Sequence, residues 1–319
     1  MITAKLTTIA PEKIRFIKLG EGGEWEHSCI LDEGTIRLGY HSPHHHDSLD
    51  GDWNTVRLFW LKIRNGNERT ATQDINQIRA FYELKETDVW ITFYTKKLYW
   101  CRAYSDVIEL NDKSRIRKVI GSWSSTDING KALRIENIDG RVTKVQGFRG
   151  TICSIEKDDP SLKDYLVRKI NGLAIPEVEK TKASLDTLRS DVEELIKGLW
   201  WQDFELLIDL VFAKAGWQRF SVLGKTEKDV DLDVYSPSTQ KRAFVQIKST
   251  TTPAEIQRYI DTYKEHEQFN EMYFVYHTCH ADLSNMETLH PNVHLWGPKM
   301  VAGLVVNAGL AEWLINKRT

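Results

Sequence analysis

The stretch Lys228-Asp-Val-Asp-Leu-Asp-Val-Tyr235, followed after a short polar turn by Ala243-Phe-Val-Gln-Ile-Lys-Ser249, decides how this chain is read. Both halves alternate with the period of a β-strand, so every second side chain shares a face. Asp229, Asp231 and Asp233 line one face of the first half, and Val230, Leu232 and Val234 line the other. In the second half Gln246 and Lys248 point one way, Val245 and Ile247 the other. Pro237-Ser-Thr-Gln240 carries turn chemistry and predicts a hairpin. A hairpin brings acids, an amide and an ammonium onto one surface. Oxygen ligands suit a hard divalent cation such as magnesium. A lysine beside it can hold or deprotonate a water that attacks a phosphodiester, the equipment of metal-dependent hydrolysis. The plainer alternative is two amphipathic strands whose charged outer faces form modest cross-strand pairs.

The flanking sequence adds context. Upstream, Phe204, Leu207, Ile208, Val211, Phe212 and Ala215 recur at helical spacing, and Gly216 is a natural stop. Glu205 sits at the border of that stripe, where it either reaches the same surface or is a solvated helix glutamate. Trp217-Gln-Arg-Phe-Ser-Val222 reads as a short strand. Downstream, Thr251-Thr-Pro253 opens a helix. Met272–Tyr276 and Val293–Trp296 read as strands, and Leu310, Trp313, Leu314 and Ile315 mark a closing helix. Strands mixed with crossover helices indicate an α/β sheet covered on its faces.

With these residues in place, positions from about 199 to 319 resemble the catalytic domain of Mrr-type restriction endonucleases, within the PD-(D/E)XK nuclease superfamily. The resemblance rests on Phe204-Glu205, Gly216-Trp217, Asp233 before an apolar residue, and Gln246-Ile-Lys248 in place of the usual acid-x-lysine triplet. It implies metal-dependent hydrolysis of DNA phosphodiesters, with Mg2+, or Mn2+ substituting. Asp233, Glu205 and Gln246 would then be the ion's ligands, and Lys248 the catalytic lysine. Asp231 stands as the alternative to Asp233, because this chain has extra acids where the family often has glycines. Gln246 replaces a carboxylate, which removes one negative charge from the ion's surroundings.

Composition sets the bounds. At 319 residues the chain predicts about two domains. No apolar run is long enough to span a bilayer, and Met1-Ile-Thr-Ala-Lys shows no signal-peptide pattern. The four cysteines are scattered without zinc-ligand spacing, which predicts a reduced, cytoplasmic chain. Net charge is −2, so any DNA binding must come from local basic patches. No Walker-type glycine loop is present, so no nucleotide triphosphate partner is expected.

The first half has a different texture. Val89–Tyr94 and Leu98–Tyr104 around Thr95-Lys-Lys97 predict a hairpin. Arg134–Ile138 and Arg141–Val145 around Asp139-Gly140 predict a second. Gln73–Tyr82 fits a helix. Many strands with few helices suggest a small β-barrel. Gly34–Gly39, Ile78–Phe81, Leu84–Ile91 and the hairpin tip before Tyr99-Trp100 faintly resemble EVE and PUA-like domains. That resemblance implies a reader of modified or flipped-out bases, stacked in an aromatic pocket. If Val89, Ile91 and Phe93 are core, Trp90 and Tyr94 face the other way, and with Trp100, Trp25 and Tyr40 they are the pocket candidates. Barrel core is the competing account for each ring. His41-Ser-Pro-His-His-His-Asp47 reads as a loop whose consecutive histidines cannot converge on one ion. Lys113, Arg115 and Arg117 share a face if extended and either track phosphates or are solvated.

The domain boundaries read from the sequence are a β-rich reading domain over 1–155, a helix and linker over 156–183 with the linker at Ile175–Lys182, and a nuclease domain over 184–319. The apolar stripe Leu185, Leu188, Val192, Leu195 and Leu199 bridges domains or supports a homodimer. The whole reads as a modification-dependent DNA endonuclease acting on double-stranded DNA. The alternatives are a non-catalytic DNA-binding protein with a vestigial nuclease fold, or a structure-selective repair nuclease.

Overall fold

The structure is a computed structural model describing residues 8–220, 230–281, 283 and 291–319. Two units divide the chain, Met1–Ile175 and Pro176–Thr319. Residues 221–229, with Lys228, Asp229 and the end of the strand expected at Trp217–Val222, lie outside the described residues.

The first unit contains β1 (Ile14–Ile17), β2 (Thr35–Leu38), α1 (His45–Leu49), α2 (Trp53–Ile63), α3 (Glu68–Glu83), β3 (Val89–Tyr94), β4 (Lys97–Cys101), β5 (Ile108–Glu109), β6 (Arg115–Lys118), α4 (Gly140–Thr143), β7 (Ile152–Ser154) and α5 (Ser161–Ile170). The strands form two sheets, ordered β4-β3-β1-β7 and β2-β6-β5. Isolated bridges Trp100–Ser124 and Ala103–Val119 link segments outside the named ladders. Among the described residues the strands do not close into a barrel, so the barrel expectation gives way to mixed α/β. The β3–β4 hairpin turns through Thr95 and Lys96 at positive φ of 47° and 59°, the backbone of a tight two-residue connection.

The hairpin expected at Arg134–Val145 is corrected. Asp139 caps α4 by accepting the Arg141 amide at 2.9 Å, so the Asp-Gly pair starts a helix. Both faces of β3 are buried. Val89, Ile91 and Phe93 pack with α5 residues Leu162, Leu166 and Ile170, while Trp90 packs with Ile75, Ile78 and Phe81 of α3. The basic face expected at Lys113–Arg117 is corrected as well. Arg115 and Arg117 are 2% and 0% exposed. Arg117 donates to four main-chain carbonyls: Tyr104 at 2.7 Å, Leu84 at 2.8 Å, Phe81 at 2.9 Å and Ala103 at 3.4 Å. Burial pushes its guanidinium down to about 10.

The second unit contains α6 (Pro176–Lys197), α7 (Trp201–Lys214), β8 (Gln218–Arg219), β9 (Leu232–Ser236), β10 (Lys241–Thr250), α8 (Pro253–Glu265), β11 (Glu271–Thr278), β12 (Val293–Trp296), α9 (Pro298–Asn307) and α10 (Ala311–Arg318). The segment expected as a linker at 175–182 is the first part of α6, apart from Ile175. One sheet runs β12-β11-β10-β9-β8. β10, β11 and β12 are parallel, and β9 and β8 are antiparallel to their neighbours. Alternation along β10 serves two cores. Ala243, Val245 and Ile247 pack with Val192 and Ile196 of α6, with α7, and with Val301, Ala302 and Val305 of α9. Phe244 packs with Ile256, Tyr259 and Ile260 of α8 on the other side. Helices therefore cover both faces, and β10 is buried in the middle, as its near-continuous apolar run requires. Among the described residues no single helix is long and apolar enough to cross a membrane.

Candidate active site

The site lies where β9 parts from β10. Their ladder pairs Ser236 with Lys241 through to Leu232 with Val245 and stops there. The next β10 amide on that side, Ile247 N–H, has lost its strand partner and must find another acceptor. The Asp231 carboxylate supplies it, taking the Ile247 amide on Oδ2 at 2.7 Å. The same oxygen accepts the Gln246 side-chain amide. Asp231 Oδ1 takes no hydrogen bond from any described residue. Gln246 is 1% exposed, and its Oε1 is buried without a hydrogen-bond partner among the described residues. A buried carbonyl oxygen left unpaired costs about 1–3 kcal/mol.

The side chain of Glu205, on the first turns of α7, makes no hydrogen bond or ion pair with any described residue. Burial and then the Asp231 charge raise its carboxyl above the ordinary value, and Lys248 and Arg219 pull it back. Burial likewise raises Asp231, against the Ile247 amide, Lys248 and Gln246. These mutual influences place Glu205, Asp231 and Lys248 within electrostatic reach of one another. Two carboxylates that resist ionisation, Asp231 hydrogen-bonded to the amide that carries the unpaired carbonyl oxygen, are donors of the kind a hard cation takes. Lys248 lies over the Tyr259 ring, its Nζ 5.5 Å from the centroid, and it makes no ion pair with a described residue. Among the described residues no three His, Cys, Asp or Glu side chains form a metal cluster; the set here is two carboxylates and an amide.

Asp233, the ligand favoured from the sequence, is placed differently from Asp231. It shares a face with Asp231 but pairs in register with Phe244, two residues further from Gln246. Arg242 holds it with two hydrogen bonds, Nε to Oδ1 at 2.8 Å and Nη2 to Oδ2 at 2.5 Å. The guanidinium is itself stacked over Phe220 at 4.6 Å and Phe269 at 5.1 Å. A bidentate, aromatic-backed pair neutralises Asp233. Alternation alone could not separate the two aspartates, because it places both on one face; the register of Arg242 does.

Two further buried polar atoms escaped the sequence reading. Ser249 Oγ and His277 Nε2 have no hydrogen-bond partner among the described residues. The pairs Lys248–Tyr276 and Thr250–Thr278 put these two residues side by side on adjacent strands. His277 packs edge-on against Phe204 at 4.9 Å, and burial lowers its imidazole.

In the first unit the aromatic candidates separate. Trp90 is core, 0% exposed, because its face of β3 is covered by α3. Trp100 donates its indole N–H to the Thr126 carbonyl at 2.8 Å and packs on the other core. Tyr94 packs against Tyr99 and His27. Trp25 and Tyr40 line a cleft of about 1,900 Å³. Arg37 covers one face of the Trp25 ring at 4.1 Å, and a Cβ on Gly39 would come within 3.0 Å of that ring. Tyr40 donates its hydroxyl to Asp74 at 3.1 Å, and Arg64 Nε donates to the other Asp74 oxygen at 2.6 Å. His41, His44 and His45 take separate partners, the Asp112 carbonyl, Asp47 and the Tyr82 hydroxyl.

No known protein family matches this sequence, and no curated protein does. Among solved structures it is similar to the DNA modification-dependent restriction endonuclease AspBHI, at 12% sequence identity and a TM-score of 0.29, over 90% of this chain and 81% of that one. At that TM-score the likeness carries no argument.

Proposed function

We propose that the chain is a metal-dependent DNA endonuclease whose centre is built by Asp231, Gln246, Lys248 and Glu205. The observation that carries the reading is the parting of β9 from β10. There a carboxylate fills a broken ladder position and leaves its second oxygen, a buried amide oxygen and a second raised carboxylate for a cation. Asp231 Oδ1, Gln246 Oε1 and Glu205 would hold Mg2+ or Mn2+. Bound there, the ion would supply charge stabilisation at the scissile phosphate and lower the pKa of a water. Lys248 orients the attacking water and offsets charge on the phosphorane. Gln246 also donates to Asp231, which fixes the carboxylate's direction. In this reading the first unit selects the DNA, with Trp25 and Tyr40 rather than Trp90 as the rings available to a base. One centre cuts one strand, so a double-strand break calls for two chains.

Plasmid cleavage tests the reading. Methylated, hydroxymethylated and plain plasmid are incubated with Mg2+, with Mn2+ and with EDTA. Metal-dependent cutting of modified DNA alone is the expected result. Equal cutting of plain DNA assigns the chain to structure-selective nucleases. No cutting of any substrate with either metal sinks the enzyme reading and favours a non-catalytic DNA-binding protein, which the amide at position 246 already allows.

Metal binding has its own readout. Mg2+ or Mn2+ stabilises the folded chain by RT ln(1 + [L]/Kd), about 2.7 kcal/mol at a hundredfold excess over Kd. The carboxyls of Asp231 and Glu205 are raised, so they take up protons at higher pH than ordinary carboxylates, above about 4. A protonated carboxyl does not ligate. The metal-induced rise in melting temperature is therefore full at neutral pH and fades as pH falls through those raised values. A shift that persists unchanged to pH 4 rules these ligands out.

A further inference from the structure

We propose that the cleft of the first unit seats the sugar–phosphate backbone of double-stranded DNA, with Arg69, Lys144, Arg149 and Lys157 as its phosphate contacts. This rests on the nuclease reading only for the choice of DNA as the polyanion.

At about 1,900 Å³ the cleft is larger than small-molecule sites, which hold roughly 300–1,000 Å³. Its lining has eight Lys and Arg against five Asp and Glu, in a chain whose net charge is −2. Glu156 and Asp139, which pair with Arg15 and Arg141 from outside that lining, reduce the surplus to one positive charge; what marks the cleft is its set of cations with no counter-ion among the described residues. Half of the lining's cations are already committed within the protein. Arg15 pairs with Glu156, Arg64 with Asp74, and Arg141 with Asp139 and Asp159; Lys18 donates to the Phe148 carbonyl.

The side chains of Arg69, Lys144, Arg149 and Lys157 make no hydrogen bond or ion pair with any described residue. They come from three separate stretches: the start of α3, the turns after α4, and the segment after β7. Of the acids, Asp74 is committed to Tyr40 and Arg64, and Asp159 to Arg141 and Ser161. Uncommitted cations spaced around a wide concave surface match a ligand that repeats its negative charge. Trp25 and Tyr40 in the same lining give bases an apolar surface.

The test uses the full chain carrying Lys248→Ala, so that DNA is bound and not cut, with a fluorescent duplex titrated at several NaCl concentrations. Each phosphate contact contributes about 0.9 to the slope of log K against log salt. Arg69→Gln, Lys144→Gln and Arg149→Gln together should flatten the slope by about 2.7 units. The melting temperature should not change, because none of the three side chains pairs with a described residue. Neutralising Lys62, Lys131 and Lys180 removes the same charge elsewhere and should leave the slope in place.

An unchanged slope in the cleft variant, or equal flattening in the control, overturns the proposal. Equal affinity for a duplex RNA of the same length overturns the assignment to DNA. A wild-type chain that binds with this salt dependence but never cuts defeats the nuclease reading alone. One that cuts while the cleft variant keeps its slope defeats this proposal alone.

Discussion

Asp231→Asn lowers plasmid cleavage about a thousandfold, and Asp233→Asn changes it less than about threefold. The two residues share a strand face and are two positions apart, so the pair isolates the site from its surroundings. At Asp231 the asparagine can still accept the Ile247 amide, and the strand parting survives. What goes is the negative charge that a cation needs, together with the penalty of burying it. Asp231→Asn should therefore melt no lower than wild type without metal and show no metal-induced rise. Asp233→Asn removes the negative charge that Arg242 faces, so its cost appears in stability. Lys248→Ala belongs with Asp231→Asn in cleavage, with DNA binding retained. Plasmid nicking beside thermal melts reads all three. Cutting that survives Asp231→Asn and is lost in Asp233→Asn would reverse the assignment made here.

The second large effect is on folding. Arg117→Met should destabilise the first unit by about 3–5 kcal/mol, against a typical total of about 5–15 kcal/mol. Methionine matches the stem of the side chain but supplies no donor. Two of the carbonyls it abandons, Phe81 and Leu84, belong to the end of α3, where the helix has no amide to offer. The other two, Ala103 and Tyr104, lie just beyond β4. One guanidinium thus ties a helix terminus to a strand exit. Arg117→Lys, with three donors on a compact head, should lose less. Hydrogen exchange reads the effect unit by unit: faster exchange in β3, β4 and α3 is expected, with the second unit untouched. Wild-type protection throughout would show that the four bonds contribute nothing net.

The second unit was largely legible in the sequence because its signals are periodic and long. Phe204 to Phe212 at helical spacing gave α7, and alternation in Leu232–Tyr235 and Ala243–Lys248 gave the β9–β10 hairpin. Face assignment also followed from period two. The choice between Asp231 and Asp233 did not, since it depends on where the ladder ends and where Arg242 falls in register. In the first unit the hydrophobic pattern misled. Val89–Phe93 is hydrophobic at every position except Thr92, and a sheet covered on both faces hides an alternate residue as well as its neighbours. Arg115 and Arg117 look like a surface stripe in one dimension; only the fold brings carbonyls around them. Asp139-Gly140 has the composition of a tight turn, yet an aspartate there is equally a helix cap.

The pairing of Asp233 with Arg242 also governs how many ions the strand can carry. A guanidinium stays charged at any pH a cell meets, so it acts as a permanent counter-ion fixed to the backbone. On the proposed reading a mobile cation then has one acidic address, Asp231 just before β9, because Asp233 on β9 is already taken. Isothermal titration should count one divalent ion per chain, and Arg242→Met, by releasing Asp233, should make a second binding event visible.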